Sequence, residues 1–361
     1  MIDNHCFTPE WLQEKRKTYG KADPSIMEKV IYALYLLQRL KLVELTFVFK
    51  GGTSLLLLLP KPARFSVDID IIVPPEMNKE TIETFLNKVK EDKVFEDIVL
   101  DEKRSYNGKI PKAHYRFIYN SQYSGKPQEV LLDILFEETH YPSCIERPIT
   151  CEWIRLTADA ISVTTPDVNS IAGDKLTAFA PTTIGIPYKL EKEREIIKQL
   201  FDIGILYDLI NDIEIFKTSY TKISQVEMKY SNDTSLTLEN VLNDTVATAL
   251  ILARRDNQLS DSDNEKFAEL NNGVKQFGYF VYTGSFRIDD AILASAKAAL
   301  LAAAIKVNFK GTLPKFDPAM PLASYLIDHP EYNFLNKKLR NTRGGALFYW
   351  SETVKLLTNN D

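Results

Sequence analysis

Cysteine and histidine are scarce in this 361-residue chain, which holds Cys6, Cys144, Cys151 and four histidines. The cysteines are odd in number and form no CxxC pair, which argues against a disulfide framework and a thiolate zinc site. The histidines are too scattered to suggest a histidine-built metal centre. Uninterrupted apolar runs fall well short of a membrane span. Met1-Ile2-Asp3-Asn4-His5 lacks the basic-then-apolar pattern of a signal peptide. A basic excess is missing too: 44 Lys and Arg stand against 49 Asp and Glu, a net charge of −5. Proteins that grip long nucleic acid by its phosphates are usually basic overall, so only a local basic groove stays open. Together these absences predict a cytoplasmic protein without a membrane partner. The remaining composition is that of a soluble globular chain, long enough for two domains with buried cores.

Periodicity and turn residues divide the chain into an alternating and a helical part. Asp23-Pro24 marks a helix start, and Met27, Val30, Ile31, Leu34 and Leu37 then recur at helical spacing. Residues 46–49 predict a short strand, which Gly51-Gly52 breaks. Thr53-Ser54 can cap a short leucine helix that Pro60 stops. A second strand is expected over 64–73, an exposed helix over 78–92, and further strands over 95–100, 114–119 and 129–136. The last two are expected to form a hairpin around the turn-rich 121–127. From Thr165-Pro166-Asp167 onward the pattern is mostly helical, clearest in the alanine-rich stretch 289–306. The expected fold class is α/β (α+β), a mixed sheet with helices followed by a mainly helical C-terminal domain, with domains over 1–165 and 166–361.

One stretch raises a chemical question. Val67-Asp68-Ile69-Asp70-Ile71-Ile72-Val73 reads as a buried strand, yet it carries two acids one residue apart. Residues i and i+2 of a strand point to one face, so Asp68 and Asp70 would converge, repel and resist desolvation unless a cation is expected there. Such a pair can hold Mg²⁺, a hard cation that keeps waters or substrate phosphates around it. Asp133, the lone acid within Leu131-Leu132-Asp133-Ile134-Leu135-Phe136, offers a third carboxylate. Gly51-Gly52 lets backbone amides approach a phosphate closely, with the positive end of the short helix at the same spot. Each part alone has an ordinary explanation: a turn, a salt-bridged strand edge, a satisfied core acid. Their order along the chain is more specific than any of them.

In that order the sequence resembles the nucleotidyltransferase superfamily, whose signature is a Gly-Gly or Gly-Ser turn followed by DhD, with h apolar. More narrowly, Gly51-Gly52-Thr53-Ser54-Leu55 and Arg64-Phe65-Ser66-Val67-Asp68-Ile69-Asp70 resemble the AbiEii/AbiGii toxin family, which includes MenT-type toxins. Ile161-Ser162-Val163, then Asp174-Lys175-Leu176-Thr177-Ala178-Phe179, then Lys198-Gln199-Leu200-Phe201-Asp202-Ile203 follow the family's later motifs. The chain departs from that pattern at Gln199, where an acid is common, and over 180–188, where a loop interrupts the usual helical link. Its last 150 or so residues match no motif.

The resemblance implies nucleotidyl transfer. Asp68, Asp70 and Asp133 would be the metal-holding, catalytic carboxylates for Mg²⁺, or Mn²⁺ in its place. Gly51, Gly52, Thr53, Ser54, Arg64 and Ser66 would bind the NTP or dNTP. Lys175 would contact the triphosphate and Asp202 would be a late essential acid, both contributed to the active site by the helical domain. The acceptor implied is the 3′ end of tRNA or another nucleic acid, and a cognate antitoxin and a role in antiviral defence through abortive infection are implied with it. Two mixed basic and aromatic clusters suit a single-stranded end: Lys103, Arg104, Lys109, Lys112 and Arg116 with Tyr106, Tyr115 and Phe117, and Lys337, Lys338, Arg340 and Arg343 near Tyr332, Phe334 and Tyr349. Taken alone, either cluster is better accounted for as a solvated strand or helix face. Two other functions stay open: synthesis of free oligonucleotides as a signal for a separate effector protein, and non-catalytic nucleotide binding. The intact set of costly carboxylates weighs against the last.

Overall fold

The computed structural model describes residues 1–106 and 109–358, without the side chain of Arg343. In chain order its elements are α1 (Pro9–Thr18), α2 (Pro24–Leu42), β1 (Val48–Lys50), α3 (Gly51–Leu58), β2 (Ile69–Val73), α4 (Lys79–Lys90), β3 (Asp97–Leu100), β4 (Lys112–Asn120), β5 (Pro127–Phe136), β6 (Cys144–Pro148) and β7 (Ser162–Pro166). Helices follow: α5 (Val168–Thr177), α6 (Glu193–Leu206), α7 (Ile213–Tyr230), α8 (Leu238–Arg254), α9 (Asp261–Phe277), α10 (Ile288–Lys306), α11 (Phe334–Lys338) and α12 (Ala346–Thr358). The mixed α/β class expected from the sequence is what the chain adopts. It divides into two compact units. The first comprises Met1–His140, Cys144–Asp167 and Phe280–Ser285; the second comprises Tyr141–Ser143, Val168–Tyr279 and Phe286–Asp361.

In the first unit a five-stranded sheet runs in the order β1-β2-β5-β4-β3. Only β2 and β5 are parallel, and the other neighbours are antiparallel. Along β5, Val130, Leu132, Ile134 and Phe136 are buried, while Leu131, Asp133 and Leu135 between them are only half-buried. That period of two gives the sheet one core face and one polar face. The core face joins α2, which supplies Val30, Leu34 and Leu37, and α4, which supplies Ile82, Leu86 and Val89. Each such side chain, fully buried, contributes roughly 1.5–3 kcal/mol. Both helices start where a carboxylate or amide captures a first-turn amide, Asp23 that of Ser25 at 2.8 Å and Asn78 that of Thr81 at 2.8 Å.

The strand expected over 64–73 is shorter, covering Ile69–Val73. The Thr53 hydroxyl donates to the Asp68 carbonyl at 2.6 Å, so the backbone there bonds to a side chain rather than to a strand partner. Arg64 instead forms an isolated antiparallel bridge with Val281. Around that bridge the Phe65 amide donates to the Phe280 carbonyl, and Tyr282 packs on Phe65 and Trp153. A two-stranded sheet, β6 with β7, completes the unit, and its β6 strand was not expected.

The second unit is built from helices, with α10 at its centre. Most side chains of α10 between Ala291 and Ile305 are buried, and it packs against α6, α8 and α12. Alanine side chains let these axes approach closely at little cost in side-chain entropy. Lys297, within this apolar helix, is buried and reaches Asp208 at 2.7 Å and the Gly204 carbonyl at 3.0 Å.

Candidate active site

Register brings four chemistry-bearing residues into one row across the polar face of the sheet. Lys50 stands opposite Asp70, Asp70 beside Asp133, and Asp133 opposite His114. Residues opposed in this way point to the same face and lie within side-chain reach. Nδ1 of His114 is 2.5 Å from Oδ1 of Asp133. Asp68 lies just before β2. Among the described residues no group of three or more His, Cys, Asp or Glu side chains is gathered closely enough to hold a metal ion alone. Asp68, Asp70 and Asp133 therefore do not form a ready cluster by themselves; Asp70 and Asp133 are neighbours through the parallel pairing of their strands.

The glycine turn belongs to the same place. Gly51 has a φ of +79°, and a Cβ on it would lie 2.0 Å from Oδ2 of Asp70. Only a residue without a Cβ admits both that backbone and that carboxylate. A Cβ on Gly52 would lie 2.6 Å from Nη2 of Arg64 and 2.7 Å from Oγ of Ser66. The structure thus brings Gly51, Gly52, Arg64, Ser66 and Asp70 together. Helix α3 begins at Gly51 with no side-chain cap, so its first amides are not taken up by a capping side chain.

Thr53 and Ser54, expected as phosphate ligands, are fully buried. The Ser54 hydroxyl donates to the Gly51 carbonyl at 2.8 Å, while that of Thr53 goes to Asp68 as above. Both protons serve the fold, holding the glycine turn and the approach to β2. Arg64 is also buried, with Nη1 donating to the Phe65 carbonyl at 2.9 Å.

Lys175 and Asp202 lie in the second unit, on α5 and α6, 3.1 Å apart with side-chain exposures of 6% and 2%. The Lys175 amine also donates to Gln199 at 2.9 Å. Gln199, the position that departs from the family pattern, is thus a direct partner of the lysine. The 180–188 loop closes on itself, with Gly185 and Ile186 amides bonded to the carbonyls of Ala180 and Ala178.

The basic clusters need one correction. Alternation along β4 buries Tyr115 and Phe117 in the core, opposite to Lys112 and Arg116, so these two aromatics cannot stack on bases beside the cations. Arg116 lies 3.6 Å from Glu129 across the strand pair. Of the second cluster, Tyr349 is buried, whereas Lys337, Lys338 and Phe334 line a cleft of about 640 Å³ with Arg255. The Arg254 guanidinium sits 4.0 Å over the Phe334 ring. The side chain of Arg343 lies outside the described residues.

Sequence reasoning missed His114 and Glu137. The hairpin register could have found the first, because with Asn120 opposite Pro127 residue 114 must face 133. Glu137 follows β5 two residues beyond Leu135 on the polar side, and burial raises its carboxyl above the ordinary value while Lys50 opposes the rise.

No curated protein matches the chain. Among solved structures it is similar to JHP933 from Helicobacter pylori, with a TM-score of 0.42, 14% identity, and coverage of 78% of this chain and 94% of that one. A second H. pylori structure, described as that of a "putative nucleotidyltransferase", gives a TM-score of 0.33 and 17% identity, covering 70% of this chain and 92% of that one. No helix among the described residues is long and apolar enough to cross a membrane. The family model described as "Nucleotidyl transferase AbiEii toxin, Type IV TA system" matches residues 35–321. That span includes the glycine turn, both site strands and most of the helical unit, so the chain belongs to the AbiEii nucleotidyltransferase toxin family.

Proposed function

We propose that this protein is a divalent-metal-dependent nucleotidyltransferase that moves NMP from an NTP onto the 3′ end of an RNA such as tRNA. The observation that carries the reading is the placement of Asp70, which lies beside Asp133 in register and against the Cα of Gly51. Carboxylates and a glycine turn at the start of an uncapped helix are what a metal-bound triphosphate needs.

The donor set fits Mg²⁺, with Mn²⁺ as a substitute. All three acids offer hard oxygens, and Mg²⁺ is commonly held by one or two carboxylates with waters and substrate phosphates completing its shell. A ready cluster of three protein ligands is therefore not required. Asp68, Asp70 and Asp133 would hold the ion, which when bound lowers the pKa of an acceptor hydroxyl and offsets triphosphate charge.

The chain's own residues do the rest. Gly51 and Gly52 let the Asp70 carboxylate and the Arg64 and Ser66 side chains close on the backbone beside the first amides of α3. Arg64 and Ser66, packed against Gly52, border that space and orient the approach to Asp68. Thr53 and Ser54 keep the turn in shape. The proposal gives Lys175 and Asp202 the roles implied by family resemblance, nucleotide contact and late essential acid. A buried ion pair is a costly feature that structure alone does not demand, which supports a retained task for them. Membership of a toxin–antitoxin family supports a cognate antitoxin as partner, a cytoplasmic location and a task in antiviral defence.

The test is transfer from each α-labelled NTP and dNTP, with Mg²⁺ and purified protein, with and without total tRNA, beside an Asp68→Ala/Asp70→Ala double variant. Label in a tRNA-sized band only with intact aspartates supports the reading. Short labelled products formed without tRNA would replace the acceptor with growing free oligonucleotides.

A further inference from the structure

We propose that His114 is a positioning residue for Asp133, holding the carboxylate by one oxygen so that the other is presented to the reaction. The inference rests on the reading of Asp133 as one of the catalytic carboxylates.

The geometry is specific. Nδ1 of His114 lies 2.5 Å from Oδ1 of Asp133, a short, charge-assisted distance. An ionised carboxylate can only accept, so Nδ1 is the ring nitrogen that carries the proton. Nε2 is buried and has no hydrogen-bond partner among the described residues. A buried bare lone pair is more tolerable than a buried orphan N–H, which fixes the same tautomer from the other side of the ring. The side-chain exposures, 10% for His114 and 31% for Asp133, put the ring behind the carboxylate and leave the acid open to an incoming ligand.

The backbone that carries the ring is itself anchored. The Ser105 hydroxyl accepts the His114 amide at 2.8 Å, and the Asp101 amide donates to the His114 carbonyl at 2.9 Å. This backbone is held on the side away from β5 as well as by β5 itself. A purely structural purpose is a poor explanation, because β4 and β5 already pair from Lys112↔Leu135 to Asn120↔Pro127. One more side-chain bond adds little to a ladder of that length. Aimed at a reacting carboxylate it does a different job, removing the rotation that would swing the acid out of line with Asp70. Hydrogen bonds that orient an acid in this way typically matter 10–100-fold for metal affinity or activity.

The experiment compares wild type, His114→Phe, His114→Asn and Asp133→Asn in two measurements. The first is steady-state transfer with α-labelled NTP, Mg²⁺ and total tRNA. The second is the long-range proton–nitrogen spectrum of the histidine rings in metal-free, nucleotide-free protein. Expected are a kcat about 10–100-fold lower in His114→Phe with KM for NTP unchanged, and recovery of most of it in His114→Asn, whose amide can donate from a similar position. The ring spectrum should show His114 protonated at Nδ1, with that signal moving in Asp133→Asn. A folded His114→Phe enzyme with wild-type kcat overturns the inference, as does a ring protonated only at Nε2. The spectrum decides even where His114→Phe fails to fold. If Asp133→Asn transfers as well as wild type, the assignment of Asp133 itself falls. If Asp133→Asn is inactive while His114→Phe is fully active, only the positioning role falls.

Discussion

The carboxylate of Asp70 lies against the Cα of Gly51, so closely that a methyl there would sit 2.0 Å from Oδ2. The first residue of the glycine pair and the second acid of the DxD are therefore one structural unit, although 18 positions separate them in the chain. A substitution at either should be felt at the other.

Gly51→Ala tests that dependence, with Gly125→Ala as its control. Both glycines have positive φ, +79° and +66°, but a Cβ at 125 would meet nothing within 4 Å. An alanine in the left-handed region costs about 1–2 kcal/mol, so both variants should lose stability to thermal or urea unfolding. Only Gly51→Ala should also displace Asp70, and a shift of that size can cost about a hundredfold in turnover. Equal transfer rates in the two variants would separate the glycine turn from the chemistry.

Asp70→Asn and Asp133→Asn should each reduce transfer by more than the roughly 10–100-fold cost of losing a supporting hydrogen bond at a metal site. Neither should unfold the protein, because each removes one of two like charges held side by side in the absence of metal. Circular dichroism melting alongside the transfer assay checks both halves. A variant that melts early and transfers normally would mark its aspartate as structural.

Lys175→Met should be costly to the fold. It removes a cationic partner of Asp202, whose side chain is 2% exposed. Breaking a buried pair from one side typically costs about 3–5 kcal/mol, much of it the uncompensated charge that remains. The double variant Lys175→Met/Asp202→Leu should recover much of that loss by removing the buried acid as well. Urea midpoints for the two single variants and the double close the cycle, and a neutral Lys175→Met would show that the pair is not energetically coupled.

Glu137 sets a pH dependence of stability. Burial holds its carboxyl above the ordinary 4.5. A carboxyl raised in the folded chain keeps its proton more tightly there than when unfolded. It thus contributes stability below the ordinary value, and that contribution disappears as pH rises through the raised one. Relative to Glu137→Gln, the wild-type melting temperature should fall as pH rises above the ordinary 4.5. A difference that stays constant over that range would rule out titration of Glu137 as the cause.

Much of the site was legible because it is local or periodic. Gly51-Gly52 next to a strand, an acid at every second residue of 68–70, and one acid in an apolar strand are patterns of one dimension. Helix starts at Asp23-Pro24 and Asn78 were readable for the same reason, since a cap bonds two or three residues away. The hidden part is made by residues distant in sequence. Arg64 lost its expected strand because its backbone partner is Val281, and Phe65 takes the carbonyl of Phe280. Tyr115 and Phe117 read as partners of nearby cations until β4 put them on the core face.

By itself the sequence determined which chemistry could be present: which acids, in what order, around which turn, and how the strands and helices alternate. Periodicity and turn residues act over a few positions, so a single chain carries them whole. Tertiary structure alone decided register. It set Asp70 beside Asp133, put His114 behind Asp133, and laid the Asp70 carboxylate on Gly51. The physical reason is that strand pairing has a period of two, so a slip of one residue would turn each of these side chains into the core. That choice is made by the whole buried face of the sheet together with α2 and α4, and no short stretch of sequence contains it.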